Sequence, residues 1–131
     1  MKHVCGAIIL DQGGRVLLGK RGEGMGEGQY SLIGGKLDVG ESAESAIIQE
    51  VKEEIGVSFV PTFYSESVNI NSDPTDPWKT TYFTGEIAGD INLGDSEIKE
   101  VIFASEEDLD RLDIVFDHRE ILKEFFQSRK S

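Results

Sequence analysis

The chain has 131 residues, a size that fills one domain and buries a core without disulfide or metal staples. Its 25 acidic residues against 13 Lys and Arg leave a formal charge of −12, which argues against long nucleic acid as a partner, since that needs a basic face. The same charge suits a small phosphorylated ligand when a divalent cation supplies the missing positive charge.

Residues 3–10 (HVCGAIIL) read as a buried strand. The lone Cys5 lies inside it and reads as a structural thiol, with no partner for an internal disulfide. This apolar run is short and broken by Gly6, so it is no secretory signal, and nothing further along reaches the length of a membrane span. We therefore expect a cytoplasmic protein forming one domain over residues 1–131.

Residues 11–14 (DQGG) predict a hairpin turn, and residues 15–20 (RVLLGK) the returning strand. Residues 22–28 (GEGMGEG) offer a superficial G-x-G-x-G, but no helix follows to hold a pyrophosphate, so they read as a surface loop at the mouth of a site. Residues 30–33 form a short strand delivering the chain to Gly34 and Gly35.

The stretch 34–57, GGKLDVGESAESAIIQEVKEEIGV, organises the rest. A short loop reaches Glu41, and a helix then runs through Glu50, Glu53 and Glu54 and stops at Gly56. The i, i+3, i+4 spacing puts those three glutamates in one narrow sector, beside an apolar stripe of Ile47, Val51 and Ile55. Lys52 points to the opposite side and cannot neutralise them. Each like-charged pair costs a few tenths of a kcal/mol (about 0.2–0.5). A sequence that keeps three such carboxylates together is holding a cation. The donors are all oxygen and no Cys/His cluster competes, which favours Mg²⁺, with Mn²⁺ as the alternative, over zinc. Ala43 and Ala46 are expected to leave room for phosphates above the metal.

Beyond the helix, residues 57–70 predict a long strand in which Pro61 marks an edge or a bulge. Residues 71–77 read as a turn-rich loop and 78–87 as a strand, with 89–93 as a short extension of it. Residues 98–104 form another strand. Ser105 opens a helix with an acidic first turn, and a last helix covers about 117–127, with Asp117 as its N-cap and His118 opening it. The sum is an α/β fold, a mixed β-sheet with helices on both faces.

Gly35, five residues, Glu41, seven residues, then QEVKEEIGV (49–57) resembles the signature of the Nudix (MutT-like) hydrolases, G-x5-E-x7-R-E-U-x-E-E-x-G-U, where U is a bulky aliphatic. Every defined position matches except the arginine, which is Gln49 here. The resemblance implies a Nudix-type α/β/α sandwich with a mixed β-sheet. It also implies metal-dependent hydrolysis of a nucleoside diphosphate linked to another group. By resemblance, Glu50, Glu53 and Glu54 are the metal ligands, and Glu53, Glu50 and Glu41 form the catalytic set. Glu53 is the leading general base, with Glu97 or Glu100 next. Arg21, Lys36 and Gly35 are the candidate substrate contacts, and Tyr30, Trp78, Tyr82 and Phe83 are aromatics for base stacking or core packing. Gln49 lacks the charge and fork of arginine, and Ile33 replaces a proline common before the paired glycines.

The run VLLGKR…YSLIGGKLDVGES looks like small nucleoside triphosphate pyrophosphohydrolases, which release pyrophosphate and a monophosphate; this is the leading substrate expectation. VFDHREIL (115–122) looks instead like a pattern in ADP-ribose pyrophosphatases, which makes ADP-ribose or a nucleotide sugar the alternative. A third reading, a non-catalytic nucleotide-binding domain, rests on Gln49 alone. The expected partner is a small nucleotide, and a homodimer is open as well.

Overall fold

The computed structural model describes residues 2–24, 26–69, 75, 77–115 and 117–130. In chain order its strands are β1 (Lys2–Ile9), β2 (Val16–Arg21), β3 (Tyr30–Ser31) and β4 (Ile33–Lys36). Helix α1 (Ala43–Ile55) follows, then β5 (Ser58–Phe59), β6 (Thr62–Asn69), β7 (Trp78–Gly85), β8 (Ile87–Ala88) and β9 (Ile98–Ala104). A 3-10 helix at Glu106–Asp110 leads to α2 (His118–Ser128).

The main sheet runs β4-β1-β7-β6, with β1 antiparallel to β4 but parallel to β7, so it is mixed as expected. A smaller sheet, β3-β2-β9, and the ribbon β5-β8 complete the set. Alternation along β1 decides the layers. Cys5, Ala7 and Ile9 pack with Ala46, Ile47, Val51 and Ile55 of α1, whereas Ile8 packs with Ile121, Leu122 and Phe125 of α2. The two helices therefore cover opposite faces.

Helix α1 has a defined start and stop. Ser42 caps it by accepting from the Ser45 N–H at 3.1 Å. Gly56 ends it at φ 75°, where it donates to the Lys52 carbonyl at 3.0 Å. The carbonyl oxygen of Asn92 would stand 2.9 Å from a side chain there, so only glycine suits both the backbone and the space.

Several expectations change. The residue 11–14 turn forms, with Asp11 and Arg15 bonded at 3.0 Å, but the hairpin does not continue. After one bridge, Leu10 to Val16, its two arms enter different sheets. The strand expected over 57–70 is broken at Val60 and Pro61 into β5 and β6, because proline has no N–H to give a ladder. Residues 89–93 are not a strand; pairing ends at Ala88. The helix after Ser105 is a 3-10 turn, held by Asp108 accepting from the Ser105 N–H at 3.0 Å. As expected, Asp117 occupies the N-cap position of α2, and His118 is its first residue. Ala46 is buried in the core with Ala43 packed against it, so neither leaves room for phosphates. The expectations for residues 70–74 and 76 lie outside the described residues.

Candidate active site

A cleft of about 450 Å³ opens between the two larger sheets, and Gly34, Gly35, Glu50 and Glu54 line it. The paired glycines meet different neighbours. A Cβ on Gly34 would stand 2.0 Å from the Cys5 carbonyl oxygen, so this residue lets β4 close on β1. A Cβ on Gly35 would stand 2.5 Å from the Glu50 carboxylate. The missing side chain is the seat of that carboxylate.

Glu50 is pushed up to about 7, first by burial and then by the charges of Glu53, Glu54, Glu41 and Asp38. Four acidic neighbours around one half-buried carboxylate concentrate oxygen donors where a hard divalent cation would relieve the repulsion. The chemistry of these donors suits such an ion, while among the described residues no three His, Cys, Asp or Glu are gathered closely enough to hold one without moving. Neutral donors steady the other members. Gln49 donates to Glu53 at 2.7 Å, one turn along the helix. Ser96 donates to Glu54 at 2.7 Å from across the molecule. Glu53 lies outside the cleft lining. Glu41 accepts from the Asp38 N–H at 3.0 Å and borders a separate shallow groove with Lys2, His3 and Lys36.

The cleft also collects cations. Arg21 lines it beside a register shift in β2, and Lys36 sits on its rim. Glu97 is at the mouth, whereas Glu100 is taken up by the Tyr30 hydroxyl at 2.8 Å.

The NUDIX domain family model matches residues 2–125 of the chain. This chain belongs to the Nudix family. It is 30% identical over 123 residues to the ADP-ribose pyrophosphatase of Methanocaldococcus jannaschii, a match covering 91% of this chain and 70% of that protein. A shorter match, 41% over 51 residues, is to the oxidized purine nucleoside triphosphate hydrolase of Danio rerio, covering 39% of this chain and 33% of that one. In structure it is similar to a MutT NUDIX hydrolase from Burkholderia pseudomallei, with a TM-score of 0.81, 25% identity, and 93% and 95% of the two chains covered. The chain is a Nudix pyrophosphohydrolase, an enzyme class that needs a divalent metal.

The far wall of this Nudix cleft holds residues that sequence reasoning missed or placed elsewhere. His118 lines it, and its Nδ1 accepts from the Leu32 N–H at 3.1 Å, so the ring proton is on Nε2. Burial, helped by the Arg21 charge, holds His118 down at about 4, and the ring is neutral at ordinary pH. The neighbouring Asp117 accepts from the Tyr82 hydroxyl at 3.3 Å. Ser31 belongs to the same lining, and its hydroxyl is buried with no hydrogen-bond partner. Tyr82 and Phe83 are core residues, while Trp78 lines the cleft with the Lys2 ammonium 5.5 Å from its ring centre. Only the VFDHREIL resemblance pointed toward this wall. Cys5 is buried and pushed up to about 11, chiefly by that burial, which suits a structural thiol. No helix among the described residues is long and apolar enough to cross a membrane.

Proposed function

We propose that this Nudix enzyme, as one domain over residues 1–131, hydrolyses ADP-ribose to AMP and ribose 5-phosphate with Mg²⁺. The observation that carries the reading is the extent of likeness. The ADP-ribose pyrophosphatase relative runs along 91% of the chain, the triphosphate hydrolase relative along 39%. The cleft supports it, because the 115–122 segment that resembles ADP-ribose pyrophosphatases supplies Asp117 and His118 to the wall. The second reading is a nucleoside triphosphate cleaved to the monophosphate and pyrophosphate. The 41% identity of the shorter match and the MutT-like structure favour it.

In either case water attacks phosphorus, one P–O–P bond breaks, and the water's proton leaves through a carboxylate. A bound divalent cation supplies charge neutralisation and a lowered water pKa. Glu50, Glu53 and Glu54 are the residues that would hold it. Gly35 seats Glu50, and Gln49 orients Glu53, a neutral substitute for the family's arginine. Glu53, although outside the cleft lining, is the first base to test, and Glu97 at the cleft mouth is the next. Glu41 ties down the loop before α1 through the Asp38 N–H. Arg21 and Lys36 meet the phosphates, Arg21 with the fork geometry that suits them.

The test is product analysis after incubation with Mg²⁺ and a panel of ADP-ribose, sugar nucleotides and nucleoside triphosphates. AMP and ribose 5-phosphate from ADP-ribose support the proposal. Pyrophosphate from one triphosphate, with ADP-ribose untouched, replaces it by the second reading. Metal-dependent nucleotide binding without turnover of any substrate identifies a binding domain.

A further inference from the structure

We propose that Ser96 is a positioning residue that aims Glu54 into the cleft, and so sets the affinity for the divalent ion. The inference rests on the reading of Glu54 as a metal ligand. Ser96 stands well outside the 34–57 signature, on the loop before β9. A serine hydroxyl has one hydrogen to give and can accept from others. Here the Ile98 N–H donates to Ser96 Oγ at 2.9 Å, which occupies its acceptor side. The hydroxyl hydrogen is then given to Glu54 Oε2 at 2.7 Å, a separation of 42 residues along the chain. The hydroxyl cannot rotate without losing a bond. It acts as a fixed link from a backbone amide to a carboxylate.

The loop carrying it is anchored at several points. The Ser96 N–H donates to the Leu93 carbonyl at 2.8 Å, Gly22 donates to the Glu97 carbonyl at 2.8 Å, and Asn92 donates to the Ile55 carbonyl at 2.8 Å. Position is therefore transmitted from β9 and from the end of α1 to one carboxylate oxygen. The need for it is electrostatic. Glu54 is half-buried, and its charge and that of Glu53 both act on Glu50. Left to itself its flexible side chain would turn toward solvent, away from like charges. A donor on Oε2 holds it at the cleft and leaves Oε1 for a cation. Partners of this kind behind a metal ligand change metal affinity by about 10- to 100-fold.

The experiment measures binding of Mn²⁺ alone by electron paramagnetic resonance. It uses the full chain as wild type, Ser96→Ala, Ser96→Thr, Glu54→Gln and the Ser96→Ala/Glu54→Gln double variant, with thermal midpoints alongside. The expected result is about 10-fold weaker binding in Ser96→Ala, recovery in Ser96→Thr, and no further loss when Ser96→Ala is added to Glu54→Gln. Equal binding by Ser96→Ala and wild type, while Glu54→Gln is impaired, overturns the role of Ser96. The same fold-loss in both backgrounds also overturns it, because that marks a merely structural effect. Wild-type binding by Glu54→Gln, or no binding by the wild type, removes the ligand reading on which it rests. If Ser96→Ala fails to fold, Ser96→Cys, of similar shape and weaker as a donor, takes its place in the same comparisons.

Discussion

Replacing Gly35 by alanine should separate function from folding in this enzyme. The added methyl would stand 2.5 Å from both Cδ and Oε1 of Glu50 and 2.8 Å from Oε2, closer than any real contact. Those atoms are the far end of a flexible side chain, so the carboxylate moves and the backbone does not. Forcing a side chain off its preferred rotamer costs about 0.5–1.5 kcal/mol. Gly35 is not among the positive-φ glycines, and alanine at a compatible backbone position restrains the unfolded chain by about 0.4–1 kcal/mol. The two effects nearly cancel. The midpoint should shift by no more than about 4 °C, the equivalent of about 1 kcal/mol at this chain length. Activity should fall much further, because displacing a working group by about 1 Å costs on the order of 10²-fold. Gly34→Ala gives the opposite pattern. Its methyl meets the Cys5 carbonyl oxygen at 2.0 Å, so β1 and β4 must part, at a cost of about 3 kcal/mol or more. Urea unfolding and Mg²⁺-dependent turnover, measured on both variants, check this. A Gly35→Ala protein that turns over like wild type, or one that loses more than about 2 kcal/mol of stability, refutes the reasoning.

Two groups lining the cleft should give opposing pH dependences in the metal-free protein. His118, about 4 when folded and 6.5 when free, binds its proton more readily unfolded, so its contribution to stability is complete above 6.5 and is lost toward 4. Glu50, about 7 when folded against 4.5 when free, does the reverse, and its contribution is complete below 4.5 and is lost as pH rises through 7. For His118 this amounts to at most about 3 kcal/mol, and for the half-exposed Glu50 solvent screening makes it smaller, so the two oppose each other and urea midpoints of the wild type should change only modestly between pH 4.5 and 6.5 as far as these groups decide it. Glu50→Gln should then gain stability as pH rises across that window, and His118→Asn should lose it; parallel profiles for the two variants would sink the argument. Glu53→Gln should abolish turnover while shifting the unfolding midpoint little, and unchanged turnover would remove Glu53 from the catalytic set. Ser31→Ala removes a buried hydroxyl that has no partner, so it should raise stability by about 1 kcal/mol. A lowered denaturation midpoint in that variant would show that the hydroxyl is in fact satisfied.

Local periodicity and capping chemistry made α1 legible. The glutamate sector, the apolar stripe and Gly56 each act within a turn or two of sequence. The Nudix signature then carried the family, since its glycines and glutamates are fixed by one loop and one helix. Partnership between distant strands was not legible. The turn at 11–14 has the same chemistry whether its arms stay paired or part, and only packing against α1 and α2 sends β1 and β2 into separate sheets. The switch of sheets at Leu32 is hidden because a two-residue strand has no period to read. His118 and Ser96 act on residues 86 and 42 positions away; the VFDHREIL resemblance pointed toward the wall that holds His118, but nothing near Ser96 in sequence announces its contact. Ala43 and Ala46 misled because helical phase places a residue on a face without saying what covers that face.

The parallel pairing of β1 with β7 sets a schedule for the chain as it is synthesised. Val4, Cys5 and Ala7 face Thr80, Thr81 and Phe83 across that ladder, a separation of 76 residues. At translation speeds of about 5–20 residues per second, β1 waits roughly 4–15 seconds for its neighbour to emerge. During that interval an apolar strand, ending in Ala7, Ile8 and Ile9, has one edge covered by β4 at most. Such an open edge recruits other strands. Overproduction of this protein is therefore expected to be limited by aggregation of nascent chains rather than by the stability of the finished fold, and slower growth temperature or a chaperone that shields strand edges should raise the yield of soluble enzyme.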